Sequence, residues 1–175
     1  MPPQLYFFAS ISFSVIAWGF LTARYIWPRL RRLSRTEGLR PLLVLHTFRF
    51  LGLAFLVPGV VSPALPAAFA HSAAYGDLIA ALLAWVALML LARGWGVAAV
   101  WFFNLWGSLD LLNAFYQANR AGLVPGQLGA TYFIPTLFVP LLLITHAVIF
   151  GILLRGTGAS RVRPAVEGSA EFAGN

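Results

Sequence analysis

The sequence predicts an all-α fold, an integral membrane bundle of five helices with the N-terminus out and the C-terminus in. Three observations carry this. Of 175 residues, 60% are hydrophobic and 10% charged, with mean hydropathy +0.82, too apolar for a soluble domain of this size. Five apolar runs are each long enough to span hydrocarbon, which takes about 17–25 helical residues. The arginines gather beside alternate ends of those runs, as orientation signals do.

The expected elements run as follows. Residues 5–27 form a first span with Tyr6, Trp18, Tyr25 and Trp27 as candidate interface anchors, and the uncharged Met1–Gln4 is no signal n-region. A basic loop, Pro28–Arg40, follows. Residues 41–57 form the second span, closed by Pro58-Gly59 and carrying His46 and Arg49. Val60–His71, uncharged and rich in Pro and Ala, reads as an outer loop. Residues 72–92 form the third span, with Gly76-Asp77 near its start, and Arg93-Gly94 turns the chain. Residues 95–117 form the fourth span. Gly122, Pro125, Gly126 and Gly129 mark a loop, and residues 131–154 form the fifth span, with Pro135, Pro140 and His146. Residues 1–155 thus read as one transmembrane domain, and residues 156–175 as a disordered cytoplasmic tail rich in Gly and Ala. With the N-terminus outside, Arg29, Arg31, Arg32, Arg35, Arg40, Arg93, Arg155, Arg161 and Arg163 fall inside and only Arg120 outside. The predicted location is a bacterial inner membrane, with the lipid bilayer as first partner.

Composition also excludes functions. Cysteine is absent, which removes disulfides, thiolate catalysis and Cys-ligated metals. All twelve basic residues are Arg, so no lysine can form a Schiff base. The net charge of +7 lies beside membrane segments, and nucleic acid is not expected as a partner. No nucleophile elbow, HExxH or P-loop occurs, so no catalytic motif supports an enzyme.

Polarity inside the spans is the informative part. The fourth span carries Asn104, Ser108, Asp110 and Asn113, and a lipid-facing helix would leave such groups unpaired. It is therefore expected at the centre of the bundle. Arg49 is the most expensive residue, since a guanidinium at mid-bilayer costs at least about 2.5–3.5 kcal/mol. Its expected acceptors are Asn104 and Ser108 directly, Asp110 by reach or through water, and carbonyls freed by Pro140. One reading is a structural Arg–Asp/Asn lock, and the other a site with Arg49 as donor fork. Asp77 reads either as a cap near the start of its helix or as a cation- or proton-binding partner of Asp110. His46 and His146 stand at matching depths on antiparallel helices, as axial ligands of a b-type haem would, or they are hydrogen-bonded histidines.

The segments His46-Thr47-Phe48-Arg49-Phe50-Leu51-Gly52, Tyr75-Gly76-Asp77-Leu78 and Asn104–Ala114 resemble an uncharacterised family of small bacterial multi-pass membrane proteins, to which no activity is attached. The resemblance covers the second to fifth spans and leaves out the first span and the tail.

The leading expectation is a membrane protein that binds a small molecule or ion at Arg49, Asn104, Asp110, Asn113, Asp77 and His46, as a transporter or transporter subunit. The alternatives are a haem electron carrier using His46 and His146, and a structural subunit that joins a membrane protein partner or a homo-oligomer.

Overall fold

A computed structural model describes residues 2–155, which are helical apart from short connections and one bridge between Pro58 and Val61. Helix α1 (Pro3–Leu21) runs through a π turn (Thr22–Ile26) into the short α2 (Trp27–Leu30). Pro28 accounts for the widened turn, because its ring crowds the carbonyl of Arg24 and it has no N–H to give. Helix α3 (Arg35–Thr47) starts in a capping box: Ser34 Oγ accepts from the Glu37 amide, and the Glu37 carboxylate accepts from the Ser34 amide at 3.1 Å. It continues as a 3₁₀ segment, Phe48–Leu56. Helices α4 (Ala67–Leu90) and α5 (Gly96–Arg120) follow, then a 3₁₀ stretch (Pro125–Tyr132), a π turn (Ile134–Phe138) and α6 (Val139–Leu154). Pro140 leaves the Thr136 carbonyl, inside that last π turn, without its usual donor.

Several expectations need correcting. The described residues hold six α-helical segments rather than five, because a π turn sets α2 apart from α1. Four continuous stretches are long and apolar enough to cross a membrane: Pro3–Leu30, Arg35–Leu56, Ala67–Leu90 and Ile134–Leu154. The expected fourth span forms a long helix, α5, but its polar residues keep it out of that group. The expected loop 60–71 shortens, since α4 already begins at Ala67 and takes in His71. The tail assigned to residues 156–175 lies outside the described residues.

Nor does the polar helix take the centre. Helix α4 does, packed on α3, on the 3₁₀ segment and on α5. Its buried residues Ala70, Ala73, Ala74, Asp77, Ala80, Ala81, Ala84 and Ala87 recur every three or four positions. That alanine stripe brings neighbouring backbones close, as small residues do between membrane helices. Asp77 occupies one place in it. By contrast α5 turns Phe102, Leu105, Leu109, Leu112 and Tyr116 outward. Helix α1 is peripheral: none of its residues is buried, and it leans on α6 and on Ile134–Phe138.

Two apolar clusters fill the bundle. One gathers Leu39, Leu43, Ala87, Val100, Phe103 and Ile149. The other gathers Phe55, Phe69, Ala70, Ala74 and Leu128. Along α3 and its 3₁₀ extension, Leu43 belongs to the first, Phe55 to the second, and the buried His46 and Arg49 lie between.

Candidate functional site

The 3₁₀ segment sets the geometry. Such a helix repeats every three residues, and its buried positions are Arg49, Gly52 and Phe55. Arg49 is 0% exposed and cannot lose its proton, so the bundle must supply its acceptors.

It supplies four. Arg49 Nε donates to Asp77 Oδ1 at 2.8 Å, and Nη2 donates to Asp110 Oδ2 at 2.6 Å. Nη1 donates to the carbonyl of Gly107 at 3.1 Å and lies 3.4 Å from His146 Nε2. The two carboxylates, from α4 and α5, thus sit on neighbouring nitrogens of one planar guanidinium. Fork geometry of this kind suits Arg rather than Lys.

Glycines make the room. A Cβ at Gly52 would strike the Asp77 carboxylate, one at Gly76 the Asp110 carboxylate, and one at Gly107 both the His146 ring and Arg49. Three close approaches therefore serve the same charged cluster.

Behind Arg49 lies a second polar group. His146 Nδ1 is 2.7 Å from Asn104 Oδ1, and Asn104 Nδ2 donates to the His146 carbonyl at 3.3 Å. The rings of His46 and His146 have centroids 4.2 Å apart at 46°, with Phe103 against both. His46 Nε2 meets the Thr145 hydroxyl at 3.0 Å, while His46 Nδ1 is buried with no partner among the described residues.

The expected site residues divide accordingly. Arg49, Asp77, Asp110, His146 and Asn104 form one hydrogen-bonded network, and His46 packs on it. Asn113 does not join: it is exposed and donates to Ser72 Oγ at 3.0 Å. Asn104 and Ser108 do not hold Arg49 directly. Asn104 serves His146, and Ser108 donates to the Asn104 carbonyl at 2.7 Å. Asp77 caps nothing, since it sits well inside a helix that begins at Ala67. The Gly107 carbonyl, the Thr145 hydroxyl and the carboxylate-holding space at Gly52 and Gly76 had no distinct signal in the sequence. Arg49, Gly52 and Phe55 stand three residues apart, the repeat of the 3₁₀ face, but that spacing alone does not announce a 3₁₀ winding.

The haem reading does not fit this geometry. An iron held about 2 Å from each of two imidazole nitrogens would part the ring centres by about 6 Å, against 4.2 Å here. Moreover, Thr145, Asn104 and Arg49 occupy three of the four ring nitrogens.

Beside the network lies a cavity of about 300 Å³. Asp77 and Asp110 line it together with Phe7, Phe8, Phe69 and Phe115. Asp77 Oδ1 and Asp110 Oδ2 are taken by Arg49, and among the described residues no donor reaches Asp77 Oδ2 or Asp110 Oδ1. Apart from its two carboxylates and Asn119, the lining side chains are apolar, and several are phenylalanines.

Fold and site together define a class: among the described residues, a helical bundle with four stretches fit to cross a membrane and an Arg–Asp–Asp–His network, buried but for the partly buried Asp110, between two apolar cores. Within that class the chain belongs to the family described as a domain of unknown function (DUF8737), which matches residues 6–154. The match takes in the first span, which the resemblance read from the sequence had left out. No curated protein and no solved structure matches the chain.

Proposed function

We propose that this chain is a bacterial inner-membrane protein that binds a small molecule or ion at its buried polar core, as a transporter or a subunit of one. One observation carries the reading: the cavity of about 300 Å³ that Asp77 and Asp110 line. A pocket of that size, mostly apolar with a few convergent polar groups, is the usual form of a small-molecule site. Ionisable residues held between helices far from either end are expensive, and they commonly mark substrate or ion pathways.

In this reading all five long helices cross the bilayer. The outward Phe13, Ile16, Phe20, Leu82, Met89 and Leu109 are all exposed and suit contact with acyl chains. Helix α5 crosses with its polar residues turned inward at Asn104, Gly107 and Asp110. The arginine asymmetry sets the N-terminus outside. A reporter enzyme fused after Arg155 then reads cytoplasmic, and periplasmic activity there overturns the topology. Native mass spectrometry of the purified chain tests the binding. A retained small molecule that Ala114→Leu expels supports it, whereas no ligand retained and none taken up from a chemically diverse set leaves only the structural lock.

The lock is the second reading, favoured by the four acceptors around Arg49. It describes what the network does for the fold and leaves the cavity unexplained.

A further inference from the structure

We infer that the cavity takes an organic cation: a primary or substituted ammonium on an apolar, preferably aromatic, body. This rests on the proposed binding function and names its ligand class. The cavity and its charge count point the same way. Its walls at Phe7, Phe8, Phe55, Phe69 and Phe115 are aromatic. Two carboxylates line it and one guanidinium holds them from behind, so the ionised cluster carries one net negative charge. An anion entering would meet like charge, and a neutral apolar molecule would leave that charge unanswered in a low dielectric. An ammonium answers it and gains cation–π attraction from the phenyl faces.

A bare metal ion suits the place poorly. Hard cations require about six or more oxygen ligands, and among the described residues no group of three His, Cys, Asp or Glu could hold a metal. An ammonium needs at most three acceptors; Asp77 and Asp110 line the cavity and keep Oδ2 and Oδ1 free of donors, although these oxygens also abut Gly52 and Gly76. Arg49 then becomes a positioning residue. It holds the carboxylates side by side through Nε and Nη2 while cancelling one of their two charges, so a monovalent ligand completes neutrality.

The experiment compares three matched probes on the full chain in lipid-free detergent micelles: 2-phenylethylammonium, 2-phenylethanol and 3-phenylpropionate. Isothermal titration should give saturable binding of the ammonium, with the alcohol weaker by about tenfold or more, equivalent to about 1.4 kcal/mol, and no binding of the carboxylate. Asp110→Asn should abolish the preference for the cation. Should that variant fail to fold, Ala114→Leu, which leaves the charged network intact and takes up part of the cavity, should weaken the ammonium by a similar factor. If the preparation retains an aminophospholipid that the amine displaces, the ammonium chemistry stands and its source is a lipid headgroup. Equal binding of alcohol and ammonium, or tighter binding of the carboxylate, overturns the inference and keeps the binding function. Failure of all three probes at about 10 mM, above the millimolar range of weak ligands, overturns the inference, and a neutral or anionic ligand retained in native mass spectrometry would then still uphold the binding function.

Discussion

The two ends of the bundle are built differently. Around Leu39, Leu43, Val100, Phe103 and Ile149, side chains from α3, α5 and α6 meet at full burial. Around Phe55, Phe69 and Ala73, a cavity remains, partly walled by the peripheral α1. Between them lies the charged network, to which α4, α5, α6 and the 3₁₀ segment all contribute. The contrast is one of filling: one end is packed to full burial, and the other keeps a cavity lined by two carboxylates.

The layer between should give the largest effect when broken. Arg49→Leu leaves two buried carboxylates without their cation, which should cost about 3–5 kcal/mol, as removing one partner of a buried ion pair does. Combining it with Asp77→Asn and Asp110→Asn should recover part of that loss. A mutant cycle read by thermal unfolding in detergent measures the coupling, and additive effects would dissolve the network as a unit.

Next comes the packed end. Ile149→Ala, at a fully buried position, should cost about 2–5 kcal/mol through lost contacts and the void left behind. Ala114→Leu at the cavity end should change stability by no more than about 0.5 kcal/mol, because the added atoms enter empty space. Denaturation of both variants in one detergent makes the comparison, and equal losses would mean that the ends do not differ.

Gly107→Ala should fall between, at about 1–3 kcal/mol, because the new methyl meets His146 and Arg49 and forces both to move. The smallest effect belongs to Asn113→Ala, within about 0.5 kcal/mol, since its bond to Ser72 is exposed. A large loss at Asn113 would return it to the network.

Cost made much of this legible in the sequence. Arg49 and Asp110 stood out because hydrocarbon penalises them, and their mutual need predicted that they would meet; Asp77 was read as a helix cap or a partner of Asp110, and its bond to Arg49 was missed. Asn113 misled, because polarity says that a residue wants a partner and not where that partner is: Ser72 near the helix end sufficed. The acceptors of Arg49 were misjudged through helix type. Depth and facing were reckoned at α-helical pitch, whereas Phe48–Leu56 winds as 3₁₀. The alanine stripe was visible as composition, but its role in placing α4 at the centre depends on how neighbours pack. The cavity could not be read at all, because it arises where α1 leans across from the far end of the chain.

That 3₁₀ run also makes the second long helix longer than an all-α helix of the same residues would be. Nine residues wound at about 2.0 Å rise exceed the same nine wound at about 1.5 Å by about 4–5 Å. Rewinding would also turn each successive residue by about 20° less, carrying Gly52 and Phe55 off the line of Arg49. Bonds from Arg49 to Asp77 and Asp110 tie this run to α4 and α5, and removing them tests whether they hold its stretched winding. Spin labels at Val44 and Val57, both exposed, would read rewinding as a shorter distance in Arg49→Leu. An unchanged distance would mean that the winding is held by the neighbouring helices and not by these bonds.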